Sequence, residues 1–315
     1  MPEILAVDLG GTNIRVARFP SAQPPATTHS KTPTRAAEGP EAVIARILQA
    51  IESIAPPSRA DMRIGIGAPG PLDTRRGVIL DAPNLPGWLN LPLRERVADH
   101  FGCPVALGND ANLAALAEWR FGAGRGCTEL LYLTISTGIG GGVISDGHLL
   151  LGAQGLAAEL GHMTLLMGGP ACSCGQHGHL EGIASGPAIA RRAAERLAAG
   201  EASSLRALST PAEGLTAEAV GQAARQGDTL ARLVVDEAAE AIGCHLASLL
   251  HAFNPQVVVL GGGVMQIGDL LLPGIEAAMR AQVMHPAFLD GLRIARAQLG
   301  EDVGLIGAMA LASEL

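Results

Sequence analysis

The chain has 315 residues, 48% apolar and 17% charged, so it is long enough for two domains with sizeable cores and too apolar to stay disordered. A formal charge of -8 with no basic run to offset it argues against nonspecific nucleic-acid binding. The single lysine, Lys31, excludes a lysine-bearing Walker loop and Schiff-base chemistry; with no long apolar stretch and no basic-then-apolar leader, a soluble cytoplasmic protein is expected.

The opening run EILAVD has strand length and β-branched content, closes on GGT and resumes as IRVARF, which reads as a β-hairpin around a glycine turn. Residues 20–40 are polar and proline-rich, a loop or an edge strand. EAVIARILQAIESIA sets Val43, Ile44, Ile47, Leu48, Ile51 and Ile54 on one helical face. RIGIGAPG is a second buried strand ending in a Gly-Pro turn. A hairpin through TRRGVIL, the loop DAPNLPGWLNLP, a short helix through LRERVADHF and the strand PVALGN follow. DANLAALAEWRFGAG reads as a helix ending at glycine.

ELLYLTIS, the turn TGIGGG and the strand GVIS then repeat the opening pattern of strand, glycine turn and strand, which implies an internally duplicated α/β protein. The second half continues through GGPACSCGQHGHLEGIASG and a set of Ala-rich helices, one of which, TLARLVVDEAAEAIGCHLASLLHAF, stops at Asn254-Pro255. After it come the strand QVVVL, the turn GGGV, a helix, a strand near LRIARA and the helix VGLIGAMALASEL, expected to pack back on the first half. The pattern divides the chain near residue 115, into residues 1–115 with a returning helix at about 300–315 and residues 116–299.

Two glycine turns can cradle phosphates. In DLGGTN, Gly10 and Gly11 let successive N–H groups share one concavity, Thr12 and Asn13 add donors, and Asp8 at the strand end can hold a hydrated Mg²⁺. STGIGGG is the equivalent in the second half. VVVLGGGV fails the dinucleotide fingerprint, because Gln266 stands where the third glycine belongs. Two cradles and a late third glycine turn fit a nucleotide. Asn109 and Asp110 have the composition of helix caps. Cys103, Cys127 and Cys244 read as small core residues, whereas Cys172 and Cys174 lie among glycines with no core to fill.

Taken together, VDLGGTNIRV, GAPGPLD, NLPGW, GNDANLAALAEWRFGAGRG, STGIGGGVI, AAELGH and CSCGQHGHLE resemble the ROK family of repressors, open reading frames and sugar kinases, over about residues 3–312. The resemblance implies a duplicated actin/hexokinase/Hsp70-like (ribonuclease H-like) two-lobed α/β fold, with ATP and sugar in the interdomain cleft. It assigns the ATP phosphates to Gly10, Gly11, Thr12, Asn13, Thr137, Gly138 and Gly140, with Gly262 and Gly263 near the adenosine. It makes Asp110 the base that accepts the sugar hydroxyl's proton, kept ionised by the helix N-terminus. The hexose falls to Gly70, Asn84, Asn109, Asp110, Glu159, His162 and Glu181.

The family pattern C-x-C-G-x-x-G-C-x-E departs here at its third cysteine, replaced by His179. Imidazole is a competent zinc ligand, so Cys172, Cys174, His179 and the upstream His162 make a structural Zn²⁺ set, with His177 as a rival fourth ligand. A metal-free loop and a redox pair are the other readings. A zinc here would staple the loop that presents His162 and Glu181 to the sugar, so its loss should act mainly through sugar affinity and stability and leave the ATP cradles intact.

The function expected is ATP- and Mg²⁺-dependent phosphorylation of the 6-hydroxyl of glucose, by a homodimer binding a small hexose and neither nucleic acid nor membrane. N-acetylglucosamine or N-acetylmannosamine is the alternative substrate, although mannosamine-type members commonly carry histidine at the Glu159 position. A repressor needs an added DNA-binding helix-turn-helix, for which a first strand at residue 3 leaves no room, and a noncatalytic sugar sensor sits poorly with an intact Asp110. ATP or polyphosphate as donor stays open.

Overall fold

In the computed structural model, residues 2–82, 84–208 and 214–315 are described; Pro83, in the loop DAPNLPGWLNLP, lies outside them. The first half runs β1 (Glu3–Leu9), β2 (Asn13–Phe19), β3 (Thr28–Pro33), α1 (Pro40–Ile54), β4 (Met62–Ala68), β5 (Leu72–Asp73), β6 (Val78–Asp81), β7 (Leu89–Leu91), α2 (Leu93–Phe101), β8 (Val105–Asn109) and α3 (Asp110–Phe121). Its main sheet has the order β3-β2-β1-β4-β8. The two β1 edges explain that order. β2 returns antiparallel through the glycine turn, while β4 needs the α1 crossover and pairs parallel.

Period-two alternation buries both faces of this sheet. Leu5, Val7 and Leu9 share one core with Val43, Ile47 and Ile51 of α1 and with Leu93 and Val97 of α2. Ile4 and Ala6 join the other core, with Leu113 and Leu116 of α3 and Leu305, Ala308 and Met309 of the terminal helix α10, Val303–Ala312. That helix sits directly on the sheet at Gly65, where a Cβ would lie 1.9 Å from the Ala308 carbonyl oxygen. The α1 face follows the expected spacing, with Leu48 and Ile54 partly buried at its margin.

The second half runs β9 (Leu130–Ile135), β10 (Ile139–Ser145), β11 (His148–Leu149), α4 (Leu180–Ala184), α5 (Gly186–Ala198), α6 (Leu205–Leu208), α7 (Ala217–Arg225), α8 (Thr229–Phe253), β12 (Val257–Gly261), α9 (Gly268–Gln282), β13 (Arg293–Arg296) and α10. Its sheet order, β11-β10-β9-β12-β13, repeats that of the first half strand for strand. α8 begins at the N-cap Asp228, whose side chain accepts from the Ala231 N–H, and stops at Asn254, which takes a left-handed φ of 43° before Pro255.

Contacts divide the chain into two compact units, Met1–Thr128 with Gly142–Ala158 and Ala297–Leu315, and Glu129–Gly141 with Glu159–Arg296. α3 belongs wholly to the first unit, past residue 115, because its apolar side shares a core with α10. Cys103 is buried as expected of a core residue; Cys127 and Cys244 are only half-buried, which corrects that reading for them. Among the described residues no helix is long and apolar enough to cross a membrane.

Candidate functional site

Parallel pairing brings the C-terminal ends of β1, β4 and β8 to one edge, where open α/β sheets place their ligands. In register along it stand Asp8, Gly67 and Gly108, with Arg15 next to Asp8 on β2. Asp8 Oδ2 accepts from Arg15 Nη2 at 2.6 Å and from Nε at 3.1 Å. A hard carboxylate at a strand end suits Mg²⁺, and here it already carries an arginine partner. The turn after it closes through the Gly10 N–H, which donates to the Asn13 carbonyl at 2.9 Å, while Thr12 is exposed. A Cβ on Gly11 would lie 3.2 Å from the Asn84 Cβ, so Asn84, expected as a sugar ligand, borders this glycine turn.

Gly70 turns the chain after β4 at φ +85°, with no room for a side chain: a Cβ would lie 2.2 Å from the Asp81 carbonyl oxygen. Asn109 Nδ2 donates to the Gly70 carbonyl at 3.4 Å. Its Oδ1 caps α3, accepting from the N–H groups of Ala111 at 3.0 Å and Asn112 at 3.2 Å. Asp110 follows as the first helical residue, exposed, with Oδ1 accepting from the Ala111 N–H at 2.8 Å. The cap that the sequence shares between the two residues therefore falls to Asn109.

In the second unit the turn Ser136–Gly140 closes through the Ser136 N–H, which donates to the Gly138 carbonyl at 2.8 Å. A cavity of about 520 Å³ opens beside it, lined by Thr137 and Gly263 together with Pro187, Leu215 and Ile267, a volume suited to a small-molecule ligand. Gly262, at φ +89°, packs against β9, where a Cβ would meet the Ile135 carbonyl oxygen at 2.3 Å. The apolar walls carry no signal in the sequence, since such residues read as core. Gln266, which spoils the dinucleotide fingerprint, also lines the cavity.

Glu159 precedes a short 3-10 turn, Leu160–His162, and His162 ends it. Glu159 keeps an edge open to solvent, yet partial burial raises its pKa above the ordinary carboxylate range; His162 pulls the other way and Glu181 adds to the rise. Glu181 is only 7% exposed. Its Oε2 accepts from the Ile139 N–H at 2.9 Å, and its Oε1 accepts from the Cys172 thiol at 3.3 Å and from the Ser173 hydroxyl. Burial pushes its pKa up, but these donors and His162 outweigh it and hold the carboxyl below its usual range. Three protein donors on the carboxylate are contacts the sequence did not show.

His162, Cys172, Cys174 and His179 converge, with one ligand atom from each and all within 4.8 Å of one another. Cys172 Sγ lies 3.4 Å from His162 Nδ1, and Cys174 Sγ lies 3.3 Å from His179 Nδ1. A tetrahedral zinc, with Zn–S near 2.3 Å and Zn–N near 2.0 Å, sets sulfur and nitrogen ligands about 3.5 Å apart. The donor set fits. His177 is outside the group; Gly178, at φ +75°, breaks the extended path between it and His179. Burial and the neighbouring Glu181 push the Cys172 thiol up to about 11, a protonation a bound dication reverses.

Comparison with known proteins places the chain. The model of the ROK family matches residues 4–315. A protein named glucokinase from Thermotoga maritima is 36% identical over 312 residues, 99% of this chain and 98% of that one. A ROK hexokinase from Thermus thermophilus superposes with a TM-score of 0.81 at 37% identity, covering 99% of this chain and 98% of the other. A ROK family glucokinase from Streptomyces griseus, solved with glucose and AMPPNP, superposes with a TM-score of 0.83 at 34% identity over 99% of this chain and 100% of its own.

Proposed function

Because the chain belongs to the ROK family, we propose that it is an ATP-dependent glucokinase, transferring the γ-phosphoryl group to the 6-hydroxyl of glucose. The observation that carries the catalytic assignment is the division of labour at α3. Asn109 supplies the cap, so Asp110 is not needed to start the helix and stands exposed at the strand-end edge, where a carboxylate can accept the hydroxyl proton. Phosphoryl transfer asks for positioning and charge neutralisation, and in this reading one base with two glycine turns meets that demand.

In this reading Gly10 to Asn13 and Thr137 to Gly140 hold the phosphates, and the cavity lined by Gly263 takes the adenosine. Asp8 would hold Mg²⁺, which neutralises phosphate charge when bound, and Arg15 keeps the Asp8 carboxylate oriented. Gly70, Asn84, Asn109, Glu159, His162 and Glu181 are the proposed hexose contacts. Zn²⁺ would be held by His162, Cys172, Cys174 and His179 and would supply rigidity, not chemistry. With Nδ1 turned to the sulfur, His162 keeps Nε2 for a sugar hydroxyl.

A coupled assay of ADP release across glucose, N-acetylglucosamine and N-acetylmannosamine tests the assignment. Glucose is expected to give the highest kcat/KM; an acetylated amino sugar ahead of it would move the specificity. The homodimer and the cytoplasmic location belong to the same proposal, and light scattering of the purified chain tests the first.

A further inference from the structure

Between the Cys/His cluster and the second phosphate turn lies one short helix, α4, with polar contacts on both sides. At its start, Glu181 accepts from the Ile139 N–H at 2.9 Å, and a Cβ on Gly138 would lie 2.6 Å from the Glu181 Oε2. Just past its end, the Gly186 N–H donates to the Ser136 carbonyl at 2.8 Å. The turn Ser136–Gly140 is therefore held at two points by the segment that contains α4. On the other side, Ser173 donates its hydroxyl to Glu181 Oε1, and Gly182 packs so closely on the cluster loop that a Cβ would lie 2.8 Å from the Ala171 carbonyl oxygen.

Ser173 sits between Cys172 and Cys174. Fixing the two sulfurs restrains the backbone between them, and with it the Cβ position from which the Ser173 hydroxyl reaches Glu181. A buried carboxylate with donors on both oxygens cannot follow one side without pulling on the other, because leaving a buried donor unpaired is costly. We propose that Ser173 and Glu181 are positioning residues that couple the metal-binding loop to the nucleotide: an ordered Cys/His cluster holds Glu181, and Glu181 holds the Thr137–Gly140 phosphate turn. The loop then serves the nucleotide as well as the sugar, against the expectation that metal loss spares the cradles. This inference rests on the reading of that turn as a phosphate cradle.

Ser173→Ala removes the link while keeping all four candidate ligands and Glu181. The experiment measures AMP-PNP binding by calorimetry, without sugar, for wild type and Ser173→Ala, each zinc-loaded and each stripped by chelator. Stripping is expected to weaken wild-type binding by about fivefold, within the usual range of coupling between sites. Zinc-loaded Ser173→Ala is expected to bind as weakly as stripped wild type and to lose little more on stripping, with Ser173→Thr restoring the wild-type response. In turnover the change is expected in KM for ATP, with kcat nearly unaltered. A wild-type affinity that ignores zinc, or a Ser173→Ala protein that responds to zinc as wild type does, overturns the coupling. A wild-type chain that binds no AMP-PNP in either form overturns the kinase reading with it.

Discussion

Replacing His179 by alanine removes one of four converging ligand atoms and leaves the other three in place. Structural zinc sites in small peptides bind with about 10–16 kcal/mol, so an equal share per ligand is roughly 2.5–4 kcal/mol, or about a 10²–10³-fold loss of affinity. The geometry supports a full share for His179, whose Nδ1 is 3.3 Å from Cys174 Sγ, close to the spacing a shared tetrahedral metal imposes. His177 has no atom in the group, so His177→Ala is expected to cost less than about twofold. The assay is elemental analysis of purified wild type, His179→Ala and His177→Ala after dialysis against graded chelator. Wild type should retain about one zinc per chain at chelator levels that empty His179→Ala. Equal zinc loss from the two variants would refute the ligand assignment, and a wild type that holds no zinc and is stable in chelator would refute the metal site.

Two further outcomes follow from contacts in the structure. Gly138→Ala forces a Cβ to within 2.6 Å of Glu181 Oε2, so either the turn or the carboxylate must shift; KM for ATP should rise about tenfold in steady-state kinetics, and an unchanged KM would show that the turn adapts freely. At the α8 N-cap, burial pushes the Asp228 carboxyl up, but donors from Ala231, Ser204 and Ser203 overcome it and lower the pKa to about 2. A lowered folded-state pKa stabilises above the unfolded value of 3.8 and loses that stability as pH falls through about 2. Asp228→Asn should therefore cost about 1 kcal/mol at neutral pH after allowance for solvent screening, and the gap to wild type should close under acid in denaturant titrations; a gap independent of pH would contradict it.

Much of this was legible because it depends on local chemistry. The α1 face, the glycine turns at Gly10 and Gly138, and the repeat of strand, turn and strand follow from periodicity and from glycine's tolerance of close approach. Cys172, Cys174 and the histidines stood out as soft ligands among glycines; the expectation that neither sulfur fills a core holds for the exposed Cys174 and fails for Cys172, which is buried. What escaped depends on how the chain folds back on itself. The Asp8–Arg15 pair needs the β1–β2 register, which places the two residues opposite each other. Ser173 looks like a spacer until α4 brings Glu181 to it, and the choice of His179 over His177 shows only in which ligand atoms the fold brings together. The cavity walls Pro187, Leu215 and Ile267 could not be told from core by hydrophobicity alone.

The central claim is phosphoryl transfer to glucose with Asp110 as the base, and the measurement that meets it most directly is formation of glucose 6-phosphate from ATP by wild type and Asp110→Asn. Asparagine keeps the size of the side chain and an oxygen for the Ala111 N–H, while Asn109 keeps the cap, so the variant should fold. Removing only the proton acceptor should lower kcat by at least about a hundredfold with glucose affinity within a few-fold of wild type. A folded Asp110→Asn protein that turns over at the wild-type rate would contradict the account, as would a wild type that transfers no phosphate to glucose.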